Sequence, residues 1–406
     1  MSARHCIGCA RTTVQVILEL GLQPPSNRFE RADRPNNDFH PLVVGQCRAC
    51  GLIQLVKPMP PGMAKSRFEW LTYNEPEGHL DDLVERLRRL PGVNSASRIA
   101  GLTYKDDSTL ARFNRLGYGN SLRYDAAMDL GIQDPCAGLE SIQAALDMPR
   151  AAQLVRRHGL ADVLLARHVL EHAHDPAAFV RSAMTLVKPG GYVVFEMPDC
   201  TRFVRARDYS FVWEEHIAYF SRDTLAAFMG SAGLAAAEIF TYPYPLEDSL
   251  IGVVRNQRLD NAWEPVQDAL KAALEDGRRF GAEYSGRAAK LQALLRAWQQ
   301  KGERVAVFGA GHLATKFVNF FRLAPLIECV VDDNVRKQEL LMPGSRLPIF
   351  GSHALGSHHI AYCLLSLNPE SEQKVLSKNR SYLDRGGRFL SIFAASERSV
   401  YRAAGA

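Results

Sequence analysis

Apolar residues recur at helical and strand-like spacings through the middle of the chain. In residues 79–90 the leucines return every three or four positions, which predicts an amphipathic helix. The segment 175–191 predicts a second helix, because Pro176 suits a first helical turn and the glycine pair that closes the segment, Gly190–Gly191, lies just beyond the predicted helix end. Three short apolar runs bounded by turn residues predict strands: 97–102, 161–167 and 191–198. This alternation predicts an α/β sheet.

A long helical segment separates this block from a further strand–turn–helix pattern. Residues 263–302 keep a helical spacing broken only by glycines, residues 303–321 predict a strand, a turn and a helix, and residues 327–333 predict a second strand. The chain is therefore expected to have four parts: an N-terminal lobe (1–75), a middle α/β domain (76–250), a helical connector (251–302) and a C-terminal Rossmann-like βαβ domain (303–406).

Four of the eight cysteines form two C-x-x-C pairs in the N-terminal lobe. Cys6 and Cys9 form one pair, and Cys47 and Cys50 form the other. Four thiolates with no open position are typical of a structural zinc ion. The alternatives are four unrelated core cysteines or a redox pair, although neither pair opens a helix after a strand. We expect a structural zinc site.

The overall composition is that of a globular protein, with 47% apolar and 23% charged residues in 406. The net charge of +5 comes from scattered lysines and arginines, which does not indicate nucleic-acid binding. No run approaches the roughly 18–20 apolar residues of a membrane span, and the N-terminus lacks the apolar segment of a signal peptide. We expect a cytoplasmic protein that binds a small molecule. The oligomeric state stays open.

A distinctive order of residues follows the predicted strand 161–167. His168 leads into V-L-E-H, Asp175–Pro176 opens a helix, and K-P-G-G precedes the strand 191–198. This order resembles the S-adenosylmethionine-binding core of class I methyltransferases. The resemblance implies a Rossmann-like middle domain, and such sheets bind their ligands at the carboxyl ends of the strands.

Several residues near those strand ends are candidates for contacts to the cofactor. Asp106 could hold the amino group of the methionine part, although an acidic turn that caps the next helix is an equal alternative. Asp125 lies near the expected end of the second strand, where a carboxylate can accept hydrogen bonds from ribose hydroxyls; Asp129 competes for that role. The residues expected at the cofactor are Gly101, Asp106, Asp125, Glu140 and His168.

The resemblance extends over nearly the whole chain and leads to the sugar C-methyltransferases of deoxysugar biosynthesis. The segments that carry it are both cysteine pairs, ELGLQPPSNRF (19–29), CRACGLIQL (47–55), the V-L-E-H block, DYSFVWEEHIAYFS (208–221) and the terminal segment 333–349. It implies a three-domain enzyme with a zinc lobe that uses S-adenosylmethionine. The reaction it implies is methylation of a carbon next to a ketone on a nucleotide-linked deoxysugar.

A histidine in the segment 208–221 suits that chemistry. An imidazole can remove a proton from a carbon next to a ketone at neutral pH, and a carboxylate beside it can orient the ring. Surrounding aromatic residues would exclude water. The resemblance implies His216 as the base, with Glu215 as its helper. The alternative is a core histidine held by hydrogen bonds.

Aromatic and cationic residues are the candidates for substrate contacts. Trp213 stands where the family usually has a tyrosine, and an indole cannot transfer a proton as a phenol can. The residues expected at the substrate are Trp70, Tyr73, Trp213, Tyr219, His312 and Lys337.

The segment 309–314 of the last domain matches G-x-G-x-x-A after a predicted strand, and Asp332 lies at the end of the next strand. Alone, this pattern predicts a dinucleotide site and hence an oxidoreductase. The resemblance instead implies that the domain holds the nucleotide end of the substrate. Two further alternatives are a methyltransferase acting on a non-sugar carbonyl or phenolic acceptor, and a binding protein that has lost methyl transfer.

Overall fold

The structure is a computed structural model that describes residues 5–71, 75–258 and 265–405. Tyr73, expected at the substrate, lies outside these residues. The chain forms two compact units, each assembled from separated segments. The first unit comprises Met1–Val16, Val44–Thr201 and Glu215–Glu275. The second unit comprises Ile17–Val43, Arg202–Glu214 and Asp276–Ala406.

The strands and helices follow the chain in these bounds. The strands are β1 (Val14–Gln23), β2 (His40–Cys47), β3 (Ile53–Leu55), β4 (Ile99–Gly101), β5 (Ser121–Arg123), β6 (Ala161–Arg167), β7 (Val187–Pro198), β8 (Ala218–Tyr219), β9 (Leu234–Tyr242), β10 (Ser249–Arg258), β11 (Arg304–Phe308), β12 (Cys329–Val331), β13 (Ile349–Phe350), β14 (Ile360–Leu365) and β15 (Arg388–Ser391). The helices are α1 (Pro61–Ala64), α2 (Leu80–Leu87), α3 (Asp107–Arg115), α4 (Leu139–Ala145), α5 (Met148–His158), α6 (Pro176–Thr185), α7 (Thr201–Ala206), α8 (Arg222–Ser231), α9 (Gln267–Gln300), α10 (His312–Phe320), α11 (Ala354–Ser357), α12 (Pro369–Lys378), α13 (Arg380–Asp384) and α14 (Val400–Ala404).

The central sheet of the first unit has the strand order β5-β4-β6-β7-β10-β9. Its strands β5, β4, β6 and β7 run parallel, whereas β10 is antiparallel to both of its neighbours. Side chains of β6 alternate between two cores: Leu164 and Ala166 belong to one, and Val163 and Leu165 to the other. Both faces of the sheet are therefore buried, which explains why this strand has an almost continuous apolar sequence.

The glycine pair of K-P-G-G lies inside β7 rather than beyond the end of the preceding helix. Helix α6 ends at Thr185, and β7 begins at Val187. A Cβ atom on Gly191 would lie 2.6 Å from the carbonyl oxygen of Asp162. The glycine is therefore required by the close approach of the backbone beside the neighbouring strand. The predicted helix 175–191 is correspondingly shorter.

The second unit contains a parallel sheet with the strand order β13-β12-β11-β14-β15. The predicted strand–turn–helix appears as β11 and α10. Helix α9 continues through its glycines without a break. At Gly281 a Cβ atom would lie 1.9 Å from the carbonyl oxygen of Ile17, so β1 can pass close to the helix only because this position has no side chain.

A smaller four-stranded sheet has the order β1-β2-β3-β8. Strand β3 pairs with β8, which connects the N-terminal lobe to the segment just after His216 within the first unit. Two differences from the predicted organisation follow from the units. Residues 17–43 of the expected zinc lobe pack in the second unit, and β10 extends into the expected connector. Within the described residues, no helix combines the length and apolar character needed to cross a bilayer.

Candidate active site and metal centre

The four predicted zinc ligands lie together in the first unit. Cys6 and Cys9 lie in the turn before β1, Cys47 ends β2, and Cys50 lies in the following turn. Their sulfur atoms are all within 4.8 Å of one another, and the Cys6–Cys50 and Cys9–Cys47 sulfur distances are both 3.6 Å. The chain thus brings four thiol groups to one point.

The surroundings of these sulfur atoms suit thiolates bound to a metal ion. The backbone N–H of Gly8 donates to Sγ of Cys6 at 3.3 Å, and the N–H of Ala49 donates to Sγ of Cys47 at 3.4 Å. Such donors stabilise negative charge on sulfur. Because all four positions of a tetrahedral ion would be filled by protein, the site fits structural zinc with no place for a substrate.

The carboxyl ends of β4 and β5 meet at the expected cofactor position. Gly101 ends β4, and its carbonyl accepts a hydrogen bond from the N–H of Tyr124 at 2.9 Å, just before Asp125. Asp125 is half-buried and accepts from two backbone N–H groups. The competing Asp129 is buried and contacts His158 at 2.8 Å. The geometry favours Asp125 for the ribose, and this assignment stays a prediction.

Asp106 is buried and has local partners. Its side chain is 0% exposed, and its carboxylate accepts from the N–H groups of Thr103 (2.8 Å) and Arg167 (3.1 Å). Burial raises its pKa to about 6. The carboxylate holds the turn between β4 and α3 in the manner of a capping box, which fits the capping alternative. A contact to the cofactor stays a prediction.

Glu140 lies in the first turn of α4 and also has local partners. Its Oε1 atom accepts from the N–H of Gly138 and the hydroxyl of Ser141, both at 2.9 Å. The side chain is buried. These contacts stabilise the start of the helix. A contact to the cofactor stays a prediction.

His168 follows β6 with a left-handed backbone, φ +53°. Its Nε2 atom lies 3.2 Å from Oε1 of Glu196, and its Nδ1 atom lies 3.6 Å from Oε1 of Glu171. Burial disfavours the charged imidazole, but the charge of Glu75 and the two carboxylate contacts outweigh it and raise the pKa of His168 to about 10. His168 is therefore an imidazolium at neutral pH, and its contact to the cofactor stays a prediction.

Glu196 is the centre of a buried charge network that the sequence did not indicate. Its carboxylate lies 2.6 Å from Nε of Arg167 and 3.1 Å from Nε2 of His79, in addition to the contact with His168. Burial would raise its pKa, but these partners hold the pKa of Glu196 well below its usual range. The network anchors the strand end from which the V-L-E-H turn begins.

His216 lies against the V-L-E-H turn. Its ring is perpendicular to that of His172, with 4.9 Å between the ring centroids and an angle of 89°. The backbone N–H of Ile217 donates to the carbonyl of Glu171 at 2.6 Å and holds the two segments together. Ligand atoms of Glu171, His172 and His216 all lie within 4.8 Å of one another. Glu215 is buried beside them in the chain, and its role as a helper stays a prediction.

Two of these neighbours, Glu171 and His172, were missed as site residues by sequence reasoning. The signal in the sequence was their place in V-L-E-H. That pattern indicates the methyltransferase core but does not show which of its side chains face a site. Their proximity to His216 results from tertiary packing, which the spacing along the chain does not indicate.

The predicted substrate residues fall into both units. In the first unit, the rings of Phe68 and Trp70 lie 5.1 Å apart, and Tyr219 is buried in β8. In the second unit, Trp213 stacks on His312, with centroids 4.5 Å apart and an angle of 11°. The sequence placed both of these residues at the substrate, and the structure brings these two together. The substrate role of the four predicted residues, Trp70, Trp213, Tyr219 and His312, stays a prediction.

Lys337 and Asp332 close the glycine-rich turn of the second unit. Nζ of Lys337 donates to the carbonyl of Ala310 at 2.6 Å and lies 3.1 Å from Oδ2 of Asp332. The same oxygen accepts from the N–H of Ala310 at 2.8 Å. In a dinucleotide site the corresponding carboxylate binds ribose. Here it binds the chain itself, which argues against the oxidoreductase alternative.

Comparison with known proteins identifies three families along the chain. A zinc binding domain matches residues 6–63, a methyltransferase domain matches 124–239, and a C-methyltransferase C-terminal domain matches 257–393. The C-methyltransferase NovU of Streptomyces niveus is 23% identical over 399 residues, which cover 95% of this chain and 94% of that protein. A ubiquinone biosynthesis O-methyltransferase of Paraburkholderia phytofirmans is 27% identical over 172 residues, covering 37% of this chain and 72% of that protein.

Solved structures similar to this chain include a Burkholderia thailandensis 1,6-didemethyltoxoflavin-N1-methyltransferase with bound S-adenosylhomocysteine. It is 14% identical, covers 45% of this chain and 80% of its own, and has a TM-score of 0.31. The N-methyltransferase NodS of Bradyrhizobium japonicum, 17% identical, covers 44% of this chain and 86% of its own, with a TM-score of 0.26. The family matches and the full-length relative confirm the resemblance seen in the sequence. The chain is an S-adenosylmethionine-dependent methyltransferase whose segments match, in order, a zinc-binding domain, a methyltransferase domain and a C-methyltransferase C-terminal domain.

Proposed function

We propose that this protein methylates a carbon next to a ketone on a nucleotide-linked deoxysugar, with His216 as the base. The carbon acceptor is supported by the C-terminal family and by the name of the full-length relative, both of which specify C-methyltransferases. The observation that carries the proposal is the position of His216, packed edge-to-face on His172 beside the turn that follows β6.

The chemistry assigned to His216 is removal of the proton from the carbon next to the ketone. The C–H electron pair forms the enolate, whose carbon then takes the methyl group as the bond from methyl to sulfur breaks. S-adenosylmethionine supplies the electrophilic methyl group, and the electrons of the broken bond remain on sulfur. His216 returns its proton to solvent after transfer. An oriented neutral imidazole suits this step at neutral pH.

The neighbours of His216 support this role through charge and position. Burial holds the pKa of His172 well below its usual range, so its ring does not add a positive charge beside the base. His216 itself is only partly buried, which leaves the imidazole accessible to an acceptor. Buried Tyr219, 6.3 Å away between ring centroids, provides an apolar wall.

The experiment is incubation of protein that holds zinc in its four-cysteine site alone with S-adenosylmethionine carrying a carbon-13 methyl group and a panel of nucleoside diphosphate 4-keto-6-deoxysugars. We expect S-adenosylhomocysteine and a product whose labelled methyl couples to a carbon next to the ketone in its NMR spectrum. A methyl on oxygen, or turnover only with non-sugar carbonyl or phenolic acceptors, would overturn the proposal.

A matched pair of variants tests the base. His216→Asn is expected to lower turnover by about 10²- to 10⁴-fold, because it removes general-base catalysis while keeping a polar side chain. Its affinity for S-adenosylhomocysteine should stay unchanged. His174→Asn, a half-buried histidine close to the same turn, is the control and should keep its rate. Equal rates in both variants would contradict the assignment of His216.

A further inference from the structure

Three side chains beside the turn after β6 have the chemistry of a second metal site. Glu171 and His172 come from this turn, and His216 comes from the segment before β8. Their candidate ligand atoms, a carboxylate oxygen and two imidazole nitrogens, lie within 4.8 Å of one another. The cluster is separate in sequence from the four cysteines, and all three residues belong to the first unit.

The carboxylate of Glu171 is the strongest sign that a ligand belongs here. Both of its oxygen atoms are buried, and neither has a hydrogen-bond partner among the residues that the structure describes. His168 forms an ion pair with it, but the His168 Nδ1 atom is 3.6 Å from Oε1, beyond hydrogen-bond distance. Buried carboxylates without hydrogen bonds are costly and are normally paired or bound to a metal. A cation bound at this point would supply the missing contacts.

The donor set determines which cations fit. Two imidazoles and one carboxylate are typical ligands of divalent transition metals, whereas Mg²⁺ and Ca²⁺ prefer oxygen ligands alone. Donors that share one zinc ion at about 2.0–2.2 Å lie roughly 3–4 Å apart. The candidate ligand atoms lie within 4.8 Å of one another, so small side-chain rotations would bring them to the separations that one ion requires. Three protein ligands would leave an open coordination position, unlike the four-cysteine site.

We infer that Glu171, His172 and His216 form a second metal site that takes a divalent transition cation such as Zn²⁺, Co²⁺ or Ni²⁺. The backbone hydrogen bond from Ile217 to Glu171 holds the two contributing segments in register, so the site is preformed. A metal ion on His216 would occupy a nitrogen lone pair that otherwise accepts a proton. Resting on the proposed function, the inference makes metal binding and base catalysis mutually exclusive, so these cations inhibit methyl transfer.

Binding is tested without reference to activity. Protein with zinc in its cysteine site is titrated with Co²⁺ by calorimetry and visible absorption. We expect one additional equivalent, with the weak absorption bands of nitrogen and oxygen ligands and no sulfur-to-cobalt charge-transfer band. Mg²⁺ should give no heat. A charge-transfer band would show exchange at the cysteines instead and would overturn the inference, as would the absence of binding.

Variants assign the site to its ligands. His172→Ala and Glu171→Gln should each weaken Co²⁺ binding by at least about tenfold, because metal affinity falls steeply when even supporting groups are lost. His174→Ala, close to the same turn but outside the cluster, should bind as the parent does. Zinc content and melting temperature establish that each variant is folded. Equal Co²⁺ affinity in all three variants would contradict the site.

The inhibitory consequence is tested by turnover at increasing Ni²⁺, with occupancy measured in parallel. The rate should fall in proportion to occupancy and recover when a mild chelator removes the ion while zinc stays on the cysteines. Stimulation by Ni²⁺ would overturn inhibition and would also contradict His216 as the base. Binding without any change in rate would leave the metal site standing and reject the role of His216 in the proposed function.

Discussion

The two large sheets of this protein differ in how the carboxylates that follow their strands are paired: Asp332 of the second unit is half-buried, and Glu171 of the first unit is buried. In the second unit, Asp332 follows β12 and accepts hydrogen bonds from the Ala310 N–H at 2.8 Å and from Lys337 at 3.1 Å. In the first unit, Glu171 follows β6, and its two buried oxygens have no hydrogen-bond partner within the described part of the chain. The chain itself supplies the partners of Asp332, whereas the proposed metal ion would supply those of Glu171.

The contrast shows that the partners of a polar side chain say more about a site than a sequence fingerprint does. The glycine-rich turn of the second unit matches a dinucleotide pattern, but its carboxylate is already used. The turn after β4 begins with a single glycine, Gly101, yet the described part of the chain has buried oxygens without hydrogen bonds after the neighbouring strand β6, at Glu171. Polar groups satisfied by the chain contribute mainly stability, whereas unsatisfied ones mark places for ligands.

The largest expected effect on stability is at a buried ion pair of the second unit, where the chain itself supplies the partners. Glu214 is 0% exposed, contacts Nζ of Lys316 and accepts hydrogen bonds from Ser26. Glu214→Gln should reduce the free energy of unfolding by about 3–5 kcal/mol, because it leaves the lysine charge buried without its counter-ion. Denaturant unfolding measures this loss.

The matched control for that change removes both charges. Glu214→Gln combined with Lys316→Met should recover most of the lost stability, since no buried charge is then left uncompensated. A loss of less than about 1 kcal/mol in the free energy of unfolding of the single variant, a typical value for any substitution, would mean that the ion pair does not stabilise the second unit.

A pH-dependent effect is expected at Asp208 in the second unit. Burial raises its pKa to about 6, although the N–H of Ala394 donates to its carboxylate. Because the folded-state pKa exceeds the unfolded value of about 3.9, this group lowers stability as pH rises from about 4 to 6. Asp208→Asn should match the parent near pH 4 and exceed it by up to about 3 kcal/mol above pH 7. Unfolding curves at both pH values test this, and parallel pH profiles would contradict it.

A smaller loss is expected at the closed turn of the second unit. Asp332→Ala should reduce the free energy of unfolding by about 1–3 kcal/mol, because the buried N–H of Ala310 and the ammonium of Lys337 lose their acceptor. Neither the parent nor the variant should bind NAD in a fluorescence titration. Saturable NAD binding to the parent that is lost in Asp332→Ala would restore the dinucleotide alternative.

The smallest effect on stability is expected at Glu171 in the first unit. Glu171→Gln should keep the free energy of unfolding within about 1 kcal/mol of the parent, because Glu171 accepts no hydrogen bond within the described residues and His168 keeps its contact with Glu196. Turnover should nevertheless fall at least tenfold, since the carboxylate lies within 4.8 Å of the proposed base. A large loss of stability in this variant would mean that Glu171, like Asp332, stabilises the chain through its own contacts. The contrast between these two carboxylates would then be wrong.

Local sequence patterns predicted the strands and metal ligands well. The run 161–167 is β6 itself, and the two cysteine pairs converge on one site. These features depend on short-range spacing: apolar runs form buried strands, and C-x-x-C turns present two thiolates each. The helix ending was less predictable, because K-P-G-G reads as a helix stop although β7 needs the glycines for close packing.

The chemistry of the site was only partly predictable from the sequence. His216 was indicated by its segment, but its neighbours Glu171 and His172 were not, because they meet it only through the fold. Asp106 was a candidate cofactor ligand on position alone, and the sequence did not show that it is buried and accepts from two backbone donors in the turn after β4. A sequence places residues near a strand end but does not state which hydrogen bonds they have already made.

The most direct test of the central claim is proton exchange at the acceptor carbon, separate from methyl transfer. A nucleoside diphosphate 4-keto-6-deoxysugar is incubated in deuterium oxide with the protein and S-adenosylhomocysteine, and the carbon next to the ketone is followed by NMR. Wild-type protein should replace that hydrogen with deuterium, whereas His216→Asn should exchange it no faster than buffer does. Exchange at equal rates by both proteins would mean that another group removes the proton.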